Sequence, residues 1–172
     1  MSYYLTEQEV KAFVGSKADY YLRRWLPALQ DRGNPGNATG FNLAALLLSG
    51  LWLPYRKLYK PAWIFFGVLF LESLVEEIVY VGILSRPDTP GYIGRLIGLV
   101  AAIVCGGFGN EWYLSHAQKV ITEMRSRGLA EDAYFEALAR RGGTSIAAVL
   151  GFLLLFIVTE VLITVLVGFF LK

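Results

Sequence analysis

Residues 61–84 form an apolar run broken near its middle by Glu72, Glu76 and Glu77. The run is long enough to cross a bilayer, which takes about 20 residues. A carboxylate at the centre of such a helix costs roughly 2.5–3.5 kcal/mol on insertion scales. Three of them together require compensation by a bound ion, by a partner's basic group, or by protonation.

Two further apolar windows, at 92–115 and 145–171, have the same reach. They account for a chain of 172 residues that is 55% hydrophobic with a mean hydropathy of +0.48. These lengths predict an all-α integral membrane protein with three transmembrane helices. Residues 41–55 are apolar but too short to span. They are expected to form a re-entrant or interfacial helix. Cys105 is the single cysteine, which excludes an intramolecular disulfide and a thiolate cluster within one chain. Glu7 and Glu9 near the start, with no apolar run beside them, predict that no cleavable signal is present.

Residues 1–37 read as a cytoplasmic or interfacial helical segment, and 38–172 as the membrane domain. Thr6 and Glu9 fit a capping box that opens a short helix. A second helix is expected over 17–30, with Tyr20, Tyr21, Leu22 and Trp25 on one side and Pro27 bending or ending it. Residues 32–37 read as a loop. Between the second and third windows, Ala133, Tyr134, Ala137 and Leu138 recur at helical spacing within a polar stretch at 118–141, predicting a cytoplasmic amphipathic helix. Thirteen of the 16 basic residues fall on one side of a three-span arrangement, leaving Arg86, Arg95 and Lys172 on the other. The excess places the N-terminus in the cytoplasm and the C-terminus outside.

Phe41-Asn42-Leu43-Ala44-Ala45 followed by Trp52-Leu53-Pro54-Tyr55-Arg56-Lys57-Leu58-Tyr59 resembles the F-N-x-A-A…W-x-x-Y-R-K-x-Y signature of a family of small bacterial inner-membrane proteins of unknown function. Asn110, Tyr113, Leu114 and His116 resemble its second motif. Phe13-Val14-Gly15 with Tyr20, Tyr21 and Trp25 resembles its N-terminal element. The resemblance covers residues 13–121. It implies location and architecture, and it carries no catalytic residue over.

Glu72 and Glu76 share a helix face at i, i+4 spacing, with Glu77 beside them. Glu160 falls at a similar depth in the third window, and Arg95 could pair with one of the acids. Three readings remain open for this patch: carboxyls hydrogen-bonded or protonated within the bundle, a docking site for another membrane subunit, or a proton or cation pathway. Glu111 and His116 are five residues apart, so they diverge around a helix and do not reproduce a di-iron Glu-x-x-His pair. No metal or cofactor is expected. Gly94, Gly98, Ala102, Gly106 and Asn110 recur every fourth residue, which predicts a close-packing helix face. Trp52, Tyr55, Arg56, Lys57, Tyr59 and Lys60 read as an interfacial lipid anchor. The basic residues are spread along a membrane surface, which argues against nucleic acid. With no nucleophile or phosphate loop in evidence, the expected role is a non-enzymatic accessory or scaffold subunit of an inner-membrane assembly. Its partners would be lipids and another membrane protein or a second copy. The alternative is an oligomeric proton- or cation-coupled transport component.

Overall fold

The computed structural model describes residues 5–30, 40–85 and 91–170. The loop expected at 32–37 lies outside them, as do Arg32, Arg86 and Lys172. Every regular element among the described residues is helical. In chain order these are α1 (Glu7–Val14), α2 (Ala18–Gln30), α3 (Leu43–Leu48), a 3₁₀ turn (Ser49–Leu51), α4 (Trp52–Tyr55), α5 (Tyr59–Glu77), a π-helical turn (Ile78–Ile83), α6 (Tyr92–Ser126), α7 (Glu131–Arg141) and α8 (Ile146–Phe170).

α6 organises the molecule. Its C-terminal part supplies Tyr113, Leu114, Ala117, Ile121 and Met124 to a closed core. α1 and α2 add Val10, Phe13, Tyr21 and Trp25, α4 adds Trp52, and α7 adds Leu138. The N-terminal residues 5–30 therefore share one core with the later helices. In its N-terminal part, α6 instead exposes Ile93, Leu96, Leu99, Val100 and Ile103. α8 is covered only along a narrow stripe, with Phe152, Ile163 and Val167 buried.

Two helices are long and apolar enough to cross a membrane: α6, and the stretch Glu131–Phe170, whose apolar part is α8. Only 17% and 11% of their most apolar windows are buried, so both leave large apolar surfaces uncovered by the described residues. α5 runs for 19 residues, and six π-helical residues continue it. It is long enough to cross as well, yet it carries the three glutamates, so composition does not class it with the other two.

Several local expectations meet a different outcome. α2 continues past Pro27 to Gln30, so the proline does not stop it. α6 does not end near residue 115 but runs on to Ser126, because the apolar residues of its last three turns have the α1–α2 layer to pack against. Residues 43–55 form three short pieces rather than one regular α-helix: α3 and the 3₁₀ turn lie along α6, and α4 turns towards α8 and α5. Gly142 ends α7 where the chain passes against α1. A Cβ there would fall on the Phe13 carbonyl oxygen, which instead accepts a hydrogen bond from the Gly143 N–H at 2.6 Å.

Glu9 ties this core together. It closes the capping box with Thr6, but its carboxylate does more than cap. It accepts from Arg125 Nε at 2.7 Å and Nη2 at 2.5 Å, and from the Tyr134 hydroxyl at 2.6 Å. Burial opposes its ionisation, and the bonds from Arg125, Tyr134 and Thr6 overcome that, holding the carboxyl down to about 2 against an ordinary 4.5. The stabilisation is present at neutral pH and is lost as pH falls from about 4.5 towards 2. Acid titration followed by tryptophan fluorescence should show the core loosening across that window. Glu9→Gln should remove the transition and cost on the order of 2–3 kcal/mol, below the ~3–5 of a fully buried pair because Arg125 is 38% exposed.

Candidate functional site

Three polar groups stand out against the apolar packing. The first is the glutamate cluster. Glu72, Glu76 and Glu77 lie in the last turns of α5, immediately before the π-helical turn. Glu76 and Glu77 are buried and Glu72 is half-buried. Glu72 lies near enough to Glu76 and Glu160 for their charges to interact. Glu160 reaches α5 from α8 by accepting from the Ser73 hydroxyl at 2.9 Å. Against α6, Glu72 Oε2 packs 3.1 Å from where a Cβ of Gly94 would stand. The structure thus brings Glu72, Glu76 and Glu160 together where α5, α6 and α8 meet. One carboxylate oxygen of each is enclosed with no hydrogen-bond partner. Arg95 does not join them. It is exposed beside the Tyr92 ring, 5.7 Å from its centroid. Among the described residues, no group of three His, Cys, Asp or Glu side chains is disposed to hold a metal ion. Glu111 and His116 stay apart from the cluster, and the His116 ring lies tilted against Phe13 with centroids 5.8 Å apart.

The second group is the small-residue face of α6, which accepts the chain's own α3. Ser49 Oγ donates to the Gly98 carbonyl at 3.0 Å. At Gly106 a Cβ would press on the Phe41 ring, and at Gly109 on Ala45 and Trp52. The approach is latched by two buried asparagines. Asn42 Nδ2 donates to Asn110 Oδ1 at 2.8 Å, and Asn110 Nδ2 donates to the Gly40 carbonyl at 2.9 Å. Asn42 also caps α3, accepting from the Ala45 N–H at 3.0 Å, while its own N–H donates to the Gly106 carbonyl at 2.8 Å. Ala102 lies along the same helix, half-buried.

The third group is an aromatic box around Arg56. The residues expected to anchor the chain at an interface divide into two sets. Tyr59 and Lys60 are exposed, and Lys57 Nζ reaches the Arg140 carbonyl at 2.9 Å. Trp52 and Arg56 instead turn into the core, where Arg56 is 6% exposed, and Tyr55 forms part of the box beside them. The guanidinium lies 5.0 Å from the ring centroids of both Tyr21 and Tyr113 and 5.5 Å from that of Tyr55. Arginine stays charged in any such setting. Each ring contact is worth about 0.5–2 kcal/mol, against a penalty of several kcal/mol for burying an ion. Nε and Nη1 have no acceptor, and no carboxylate pairs with Arg56 among the described residues. Burial pushes the Tyr21 phenol up, with the Arg56 charge opposing it.

Two features of these groups were not read from the sequence. Asn42 was legible as an N-cap, since it directly precedes an apolar helical run. The burial of Arg56 had no local signal, because its rings come from residues 21 and 113.

A family described as "Protein of unknown function (DUF2628)" has a model that matches residues 11–119, well over half of the chain. The chain belongs to that family. The matched region contains the asparagine latch, the Arg56 box and the α5 glutamates, and it leaves out Glu160 and the whole of α8. No curated protein and no solved structure matches the chain.

The latch generates a stability prediction. Asn110→Ala strands the Asn42 amide and the Gly40 carbonyl, and should cost about 1–3 kcal/mol. Asn42→Ala should cost a similar amount. A double-mutant cycle by thermal unfolding in detergent should give a coupling of at least ~0.5 kcal/mol. Strict additivity would remove the latch.

Proposed function

We propose that this chain is a multi-pass protein of a bacterial inner membrane, serving as a small non-enzymatic accessory or scaffold subunit of a membrane assembly. In this reading α5, α6 and α8 are three spans, with α3 and α4 dipping into the membrane beside α6. The N-terminus is cytoplasmic and the C-terminus lies outside. The exposed leucines 43, 47 and 48 of α3 support the dipping segment.

The observation that carries the proposal is the seam of Glu72, Glu76 and Glu160, whose enclosed oxygens have no partner within an apolar belt. Glu72 and Glu160 are only half-buried, so a basic or polar group on a neighbouring helix can reach them. The uncovered face of α8 offers the apolar surface for such a helix. The Gly106 end of the small-residue face of α6 is not that surface, since the Phe41–Trp52 segment already packs there. Association should appear as co-purification of a second membrane protein in mild detergent. Glu72→Gln with Glu160→Gln should weaken it at least tenfold, in keeping with loss of desolvated charge pairs. A homogeneous monomer from native membranes, unchanged by the double substitution, would sink this reading.

The convergence of three carboxyls also favours a second reading, an oligomeric proton- or cation-coupled transport component. Against a path through one chain, residues 61–71 of α5 and 146–158 of α8 carry no charged side chain. At 1.5 Å per residue these stretches put roughly 15–20 Å of apolar packing between the cluster and the basic end. Proton flux into proteoliposomes, if the chain carries any, should drop more than tenfold in Glu72→Gln/Glu76→Gln. Flux that the double variant leaves unchanged removes these residues from such a path.

A further inference from the structure

Between α2 and the α3–α4 segment lies a cavity of about 490 Å³. Arg56, buried and with no carboxylate partner among the described residues, forms part of its inner wall. Lys17 and Arg23 stand exposed on the same lining, with Asp19 the one acid among them. Three cationic side chains against one carboxylate leave the cavity electropositive. Tyr20 and Tyr21 add phenol groups, and Leu43, Ala44 and Trp52 make the rest of the wall largely apolar. A volume within the roughly 300–1,000 Å³ of small-molecule sites has room for more than a bare anion.

We propose that this cavity binds a phosphate ester anion, with Arg56 as the buried counter-charge and Lys17 and Arg23 drawing the ligand in. Phosphate offers several acceptor oxygens and no requirement for an acceptor from the protein, which suits guanidinium, ammonium and phenol groups set in an otherwise apolar wall. The ester substituent occupies the remaining volume against Trp52 and Tyr55. The same chemistry arises from an anionic lipid headgroup or from a soluble organophosphate, and affinity separates the two. The site is independent of the glutamate seam, so the proposal survives or fails apart from the accessory-subunit reading.

The full chain in nonionic detergent is titrated at constant ionic strength with glycerol 3-phosphate, dioctanoyl phosphatidic acid and dioctanoyl phosphatidylcholine. Tryptophan fluorescence and the thermal midpoint are the readouts. At least one of the two phosphate monoesters should saturate, with phosphatidylcholine at least tenfold weaker than phosphatidic acid. Phosphatidic acid binding more than tenfold tighter than glycerol 3-phosphate assigns a lipid, and comparable affinities assign a soluble ester. Arg56→Lys should weaken binding at least tenfold. Lys17→Gln/Arg23→Gln, which touches only exposed residues, should weaken it at least threefold with an unchanged midpoint, and it decides the matter if Arg56→Lys does not fold. The proposal is overturned if neither monoester saturates, if phosphatidylcholine binds as well as phosphatidic acid, or if the folded variants bind like the parent chain.

Discussion

A single continuous helix presents two kinds of surface, and the rest of the chain is arranged around it. α6 has 35 residues, about 50 Å at 1.5 Å per residue, well beyond the ~30 Å of a hydrocarbon layer. Its first half exposes branched apolar side chains. Its last three turns are the centre of a closed core that would suit a water-soluble protein. α1, α2 and α7 exist in this arrangement to cover those turns. α3 is held to the middle of α6 by the asparagine latch, where the helix passes from exposed apolar side chains to the closed core. Buried amides suit that boundary because both ends of each bond are supplied by protein, whichever medium lies outside.

The helices were legible in the sequence because apolar periodicity and length report them directly. The capping box at Thr6 and Glu9 marked the start of α1, and the glycine run at 142–143 marked the end of α7. What escaped was long-range. Nothing local says that Glu9 will meet Arg125 and Tyr134 more than a hundred residues later, nor that Arg56 will enter a box of tyrosines. A basic residue flanked by Trp52, Tyr55 and Tyr59 reads as a surface anchor, and only tertiary packing turns it inward. Arg95 erred the other way. Its position in sequence put it within reach of the glutamates, whereas in the structure it lies exposed beside Tyr92. Glycine spacing on α6 specifies closeness without specifying a partner: Gly94 meets Glu72, Gly106 meets Phe41 and Leu46, and a Cβ at Gly98 would meet nothing within 4 Å.

Charge compensation differs between the buried ionic groups. Glu9 is fully served within the chain, by a bidentate arginine, a phenol and its own cap. Arg56 is served in part, by ring faces that soften its burial and leave two nitrogens without acceptors. Glu72, Glu76 and Glu160 have one another and a serine. An ion enclosed without its counterpart costs several kcal/mol, and a chain of marginal stability does not carry two such sites idly. Glu9 shows that this sequence can build a complete ion pair where it needs one. The other two are incomplete among the described residues, and both proposals rest on that contrast: a cation, a basic group or a proton would complete the carboxylates, and an anion would complete Arg56.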